Sequence, residues 1–150
     1  MAQAETHKPR PPIESGVVDV TPYLHPTMRE QYGKWKWHDR LRPGVLHHVA
    51  QDGTEVWTVR FGTQRQMDVF TIRKICELAD EFADGHLRFT IRSNVEMLVT
   101  DQSKVDPLIE AAEAAGFPVG GTGNSVKMIS HTQGWLHCDI PGTDASGVVK

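Results

Sequence analysis

Along residues 54–61, TEVWTVRF, apolar and polar positions alternate: Glu55, Trp57, Val59 and Phe61 fall on one face, Val56, Thr58 and Arg60 on the other. Its β-branched and aromatic content suits a pleated surface, so the stretch predicts a strand. Asp52-Gly53 just before it is a turn signal and predicts a hairpin with residues 45–49. The period then changes. From Met67 to Ala83, the residues Val69, Ile72, Cys76, Ala79 and Ala83 recur at spacings of three and four, with Asp68 near the start and Gly85 past the end. That predicts an amphipathic helix with a carboxylate at its positive end and a glycine stop. Two short strands follow, 87–92 and 95–100, joined by Ser93-Asn94 in a tight turn with Asn94 at positive φ. A second helix is predicted to open at Ser103, with Asp106 three residues on in the manner of a capping box. It buries Val105, Leu108, Ile109 and Ala112 and stops at Gly116.

The order β-α-β-β-α predicts an α+β, ferredoxin-like (split β-α-β) unit, a sheet with two helices on one face. Residues 1–44 read as an extended arm: five of the nine prolines fall before residue 27, where little apolar surface could offset chain ordering. After residue 117 come a glycine-rich turn, VGGTGNSV, and a strand near 126–130. Thr143 or Asp144 looks like a helix cap barely two turns before Lys150, as expected for a fragment of a longer protein.

With 150 residues, 39% hydrophobic and 23% charged, the chain can bury one core. A net charge of -3 argues against a surface that coats nucleic acid or anionic lipid. No apolar run approaches the roughly 20 residues of a membrane span, and the first ten residues lack the apolar middle of a secretory signal, so the expected location is the cytoplasm. Cys76 and Cys138 by themselves make neither a C-x-x-C pair nor a four-thiolate cluster site.

Arg60, Arg88 and Arg92 lie on predicted strands, and Arg88 and Arg92 share a face by period-two spacing. Guanidinium groups gathered on a sheet face suit carboxylates or an oxyanion, although spacing alone favours a merely solvated face. GGTGNSV resembles an anion-holding loop but lacks the lysine of a P-loop, and a plain turn is the simpler reading. His131, His137 and Cys138 match no common zinc spacing, so no metal ligands are assigned. The basic aromatic run 34–42, KWKWHDRLR, could stack on bases, but no RNA-binding strand motif accompanies it, and its tryptophans are better read as covering an apolar patch.

From about Tyr32 to Lys150, through the blocks RFGTQRQMDV, HTQGWLHC and PGTDASG, the sequence resembles the N-terminal part of the beta subunits of dissimilatory-type sulfite reductases. The resemblance implies a ferredoxin-like half-domain over residues 45–117. It further implies that residues 118–150 begin a domain binding sirohaem coupled to a 4Fe-4S cluster, whose cysteine ligands this stretch does not contain. Thr90-Ile91-Arg92 matches a T-x-R motif that supplies an arginine beside the haem and its oxyanion ligand in related reductases. Arg92 is therefore the expected catalytic residue, and either Lys127 or a charge from the partner subunit replaces a second arginine that the G-x-x-x-R-N pattern would place where Asn124 and Ser125 stand. Arg60, Arg65, Arg88, Thr90, Asn94, Thr132, Gln133 and His137 are the expected cofactor contacts. The implied function is six-electron interconversion of sulfite and sulfide, with block wording nearer the sulfur-oxidising branch. The implied partners are an alpha subunit in an α2β2 heterotetramer and a small electron- or sulfur-carrier protein. A small ferredoxin-like anion-binding or regulatory module without redox chemistry is the alternative.

Overall fold

A computed structural model describes residues 19–124, 131–145 and 147. After a 3-10 turn at Thr21–Tyr23, the elements are α1 (Pro26–Glu30), β1 (Trp35–Arg42), β2 (Val45–Ala50), β3 (Glu55–Gly62), α2 (Val69–Phe82), β4 (Arg88–Phe89), β5 (Asn94–Val99) and α3 (Val105–Ala114). The five strands form one antiparallel sheet in the order β1-β2-β3-β5-β4. The alternating residues Trp57, Val59, Phe61, Val95, Met97 and Val99 turn to one face and pack with Ile75 and Leu78 of α2 and Leu108 and Ala112 of α3. This is the predicted ferredoxin-like arrangement, two helices on one face of an antiparallel sheet. No helix among the described residues is long and apolar enough to cross a membrane.

Local chemistry departs from the sequence reading in five places. Residues 35–42, placed in the arm, form the outer strand, paired along β2 and interrupted by irregularities at Trp35/Trp37 and Arg40/Arg42. Such bulges disturb the period-two pattern by which a strand is recognised, and they make an edge less available to foreign strands. Of the predicted stripe of α2, Ala79 and Ala83 are buried, whereas Val69, Ile72 and Cys76 are exposed and Ile75 and Leu78 take their place in the core. Asp68 caps α2 through the Thr71 N–H. The second capping residue is Asp101, whose carboxylate accepts from the Ser103 N–H and hydroxyl and opens a 3-10 turn leading into α3. The strand predicted over 87–92 ends at Phe89, and Ser93 rather than Asn94 takes the positive φ, 57°. Finally, Arg92 therefore lies in the turn and does not share a strand face with Arg88. The strand predicted near 126–130 lies outside the described residues.

The helix-free face is not bare. Residues 20–31 run across it as a strap. The buried His25 holds Asp84 at 3.2 Å, and the Gln31 amide donates to Asp52 at 2.7 Å. At the opposite end the segment 118–123 folds over the sheet: Val119 bridges Phe61, and the Gly62 and Gly120 N–H groups donate to Pro118 and Arg60 carbonyls. Polar side chains on this face, Thr58, Asn94 and Glu96, are consequently buried.

Candidate functional site

Period-two alternation on β3 and β5 sends Arg60 and Glu96 to the helix-free face, and register places them opposite each other. The Arg60 guanidinium donates to Glu96 Oε2 through Nε at 2.9 Å and Nη2 at 2.5 Å, while Nη1 donates to the Gly121 carbonyl at 3.1 Å. Arg88, on β4, donates to the other carboxylate oxygen, Glu96 Oε1. Two arginines thus share one buried carboxylate, leaving the cluster with one positive charge in excess. A buried charge held this way is compensated by pairing and hydrogen bonding together.

The glycine loop is seated on this cluster. Thr122 is buried and its hydroxyl accepts from the Gly44 N–H at 2.8 Å. Gly121 and Gly123 have φ of 72° and 68°, and a Cβ at Gly123 would overlap the Arg40 guanidinium. The positive φ favours glycine at both positions, while the Arg40 side chain could swing aside from a Cβ. Beside the loop, Thr63 donates to the Ser93 carbonyl at 2.8 Å, which ties the end of β3 to the turn carrying Arg92. Arg65 donates to the His131 carbonyl at 2.6 Å. One corner therefore gathers the end of β3, the turn 90–93, the loop 120–123 and the approach to residue 131.

Of the expected site residues, Arg60, Arg88 and Asn94 meet on the helix-free face. The Thr90 hydroxyl accepts the Asn94 N–H at 3.2 Å and shapes the turn. Arg92 is exposed and has no ion pair among the described residues. Thr132, Gln133 and His137 are exposed around a 3-10 turn, Gly134–Leu136, where the Thr132 hydroxyl accepts the Gly134 N–H. Arg65 joins that segment to the corner; His137 is not brought to it by any described contact. Lys127 lies outside the described residues. Sequence reasoning missed Glu96 and Arg40. A lone acid in the otherwise apolar run VEMLV, with a lone arginine in the strand-like run TEVWTVRF, was the available signal for Glu96.

A second polar chain crosses the same face. His38 and His48 meet through their Nδ1 atoms at 2.6 Å, and His48 Nε2 lies 2.9 Å from the Thr58 hydroxyl. Burial first, and the neighbouring His38 second, lower the His48 pKa to about 4, so this imidazole is neutral near pH 7.

A polycarboxylate group such as sirohaem fits the corner: Arg40 and Arg92, with no ion pair among the described residues, stand with a loop whose glycines permit close approach. A cluster cradle is another matter. Cys76 and Cys138 are both exposed, and no group of three or more His, Cys, Asp or Glu among the described residues stands ready to hold a metal.

Residues 48–115 match the family described as nitrite/sulfite reductase ferredoxin-like half domain. The chain is 51% identical over 134 residues to the beta subunit of dissimilatory-type sulfite reductase from Archaeoglobus fulgidus, covering 85% of this chain and 37% of that one. It is 42% identical over 156 aligned positions to the corresponding subunits of Nitratidesulfovibrio vulgaris and Megalodesulfovibrio gigas. Those alignments cover 96% of this chain and 41% and 60% of the relatives, so the chain spans between about a third and three fifths of the proteins it matches.

Proposed function

We infer that this chain, which belongs to the family of dissimilatory-type sulfite reductase beta subunits, supplies the cationic corner at which a sulfur oxyanion and the carboxylates of sirohaem are held. The observation that carries the reading is the gathering of Arg92, Arg65, Arg40 and the glycine loop, with Arg92 exposed and without an ion pair among the described residues. An arginine already paired twice to a carboxylate has little left for substrate, which favours Arg92 over Arg60 for the oxyanion. Arg60 instead positions the loop through the Gly121 carbonyl. Sirohaem coupled to a 4Fe-4S cluster would supply the electrons for the six-electron interconversion of sulfite and sulfide. The protein's part is to neutralise the anion and orient it, and to donate hydrogen bonds as S–O bonds polarise. Thr132 and Gln133, joined to the corner through Arg65 and His131, would complete the cofactor contacts, with Lys127 and His137 as further candidates.

In this reading the working form is cytoplasmic and pairs with an alpha subunit in an α2β2 assembly, exchanging electrons or sulfur with a small carrier protein. The decisive experiment replaces Arg92 by Ala in the assembled complex and measures sulfite turnover alongside sirohaem absorption. Loss of one charge-assisted donor lowers the rate roughly a hundredfold or more while the cofactor spectrum persists. Undiminished turnover in that variant removes Arg92 from the oxyanion site.

A further inference from the structure

The strap pinned by His25 and Gln31 does not lie flat on the sheet. Between it and the strands is a cavity of about 550 Å³, within the range of small-molecule sites. Leu24 and Met28 form its roof, Trp35 and Leu87 its sides, and Leu98 and Thr58 its floor. Arg88 and Glu96 stand at one wall. Arg92 and the glycine loop are not among the lining residues, so the cavity adjoins the cationic corner through the Arg88–Glu96 pair without including it.

We propose that this cavity binds an apolar monocarboxylate, its apolar body between the strap and the sheet and its carboxylate on Arg88. The charge balance points to an anion. Glu96 is the one acid among the described lining residues, and it already serves Arg60 through its other oxygen. Arg88 spends a single described donor on Glu96 and its side chain is 67% exposed, so the rest of its guanidinium is available to a second carboxylate. The other titratable groups facing the cavity are the Tyr23 phenol and four histidines. His48 is held neutral and linked to His38 and Thr58, His25 faces Asp84, and His86 packs edge-on against His25 and bonds the Asp84 carbonyl through Nδ1. None of these offers an uncompensated negative charge to repel the ligand. The apolar roof and sides select against small hydrated oxyanions, whose desolvation they could not repay, and a guanidinium matches a carboxylate through paired hydrogen bonds.

The test is calorimetric titration of the full chain with decanoate and, separately, with decan-1-ol, which keeps the apolar body without the charge. Decanoate is expected to bind at one site and to perturb tryptophan emission through Trp35. Decan-1-ol should bind at least about tenfold more weakly, the scale of one charge-assisted contact. Arg88→Gln should bring the two affinities together. Leu98→Trp, or Met28→Trp from the strap side if the first variant does not fold, should fill the space and abolish both. The proposal fails if decanoate shows no saturable binding, if the alcohol binds equally well, if the preference survives in Arg88→Gln, or if binding survives in a folded cavity-filled variant.

Discussion

At the scale of single residues, Glu96 is where sequence and chemistry meet most tightly. Its carboxylate is buried between two guanidinium groups of very different exposure, 13% for the Arg60 side chain and 67% for that of Arg88. Glu96→Gln leaves the Arg60 charge buried without its counter-ion, and breaking a buried pair from one side costs about 3–5 kcal/mol. Arg88→Gln removes a largely solvated partner and should cost less than about 1 kcal/mol. Urea unfolding of both variants measures the contrast, and equal losses would contradict the assignment of Arg60 as the desolvated member. His48 adds a pH dependence of opposite origin to that of the capping aspartates. Its folded pKa of about 4 lies below the ordinary value of 6.5, so between those values the unfolded chain takes up a proton that the folded chain does not. Stability is therefore full above about pH 6.5 and falls as the pH drops toward 4. Allowing for solvent screening of this half-buried ring, the loss is roughly 1–2 kcal/mol. Denaturant midpoints across that range should flatten in His48→Gln. The lowered pKa values of Asp52, Asp68 and Asp101, which follow from hydrogen bonds to Thr54, Thr71 and Ser103, act only below the usual carboxylate value of 3.8.

Elements whose signal is local were legible from the chain; those defined by a neighbour were not. Alternation alone identifies β3, and three-and-four spacing identifies α2 and α3, because each sits against a continuous core. Even there the buried face of α2 was legible only in part, at Ala79 and Ala83. Val69 and Ile72 continue the apolar rhythm on paper, yet the sheet underneath meets Ile75, Leu78 and Ala79. The turn 90–93 hid for a different reason: Thr-Ile-Arg has strand-like composition, but the Thr90 N–H closes on the Asn94 carbonyl and Ser93 enters the left-handed region. β1 was opaque because all but its first residue are exposed and its bulges erase the alternation. The caps make a sharp test at this scale. Ser103, the capping residue the sequence suggested, donates its N–H and its hydroxyl to Asp101 rather than accepting an N–H of α3. Asp101→Ala is thus expected to lower the thermal midpoint by roughly a few degrees and Ser103→Ala by clearly less. The reverse order would restore Ser103 as the cap.

Across the whole molecule, the candidate site depends on register between distant segments, which is why the sequence supplied its arginines and not its geometry. Arg60 meets Glu96 from 36 residues away, Gly121 from 61, and both contacts exist only because β3 pairs with β5 and the segment after α3 returns across the end of β3. Gly44 is the point on which that return rests. Its φ is +79°, its carbonyl accepts the Arg60 N–H, and its own N–H donates to Thr122. A Cβ there would lie 2.5 Å from Val119 Cγ1, 2.7 Å from the Gly120 nitrogen and 2.9 Å from the Arg60 carbonyl. Two of those three atoms are backbone and cannot turn aside. Gly53 is the natural comparison, with φ +89° and nothing within 4 Å of a built Cβ. Gly53→Ala therefore carries the left-handed penalty alone, about 1–2 kcal/mol, while Gly44→Ala adds steric displacement of the 118–122 segment, for a loss of roughly 3 kcal/mol or more. Hydrogen exchange separates the two effects: the Gly120 amide, bonded to the Arg60 carbonyl, should exchange faster in Gly44→Ala at matched global stability and stay protected in Gly53→Ala. Equal exchange at Gly120 in the two variants would mean that the loop is held by something other than its packing on Gly44, and the anchoring of the candidate site would have to be sought elsewhere.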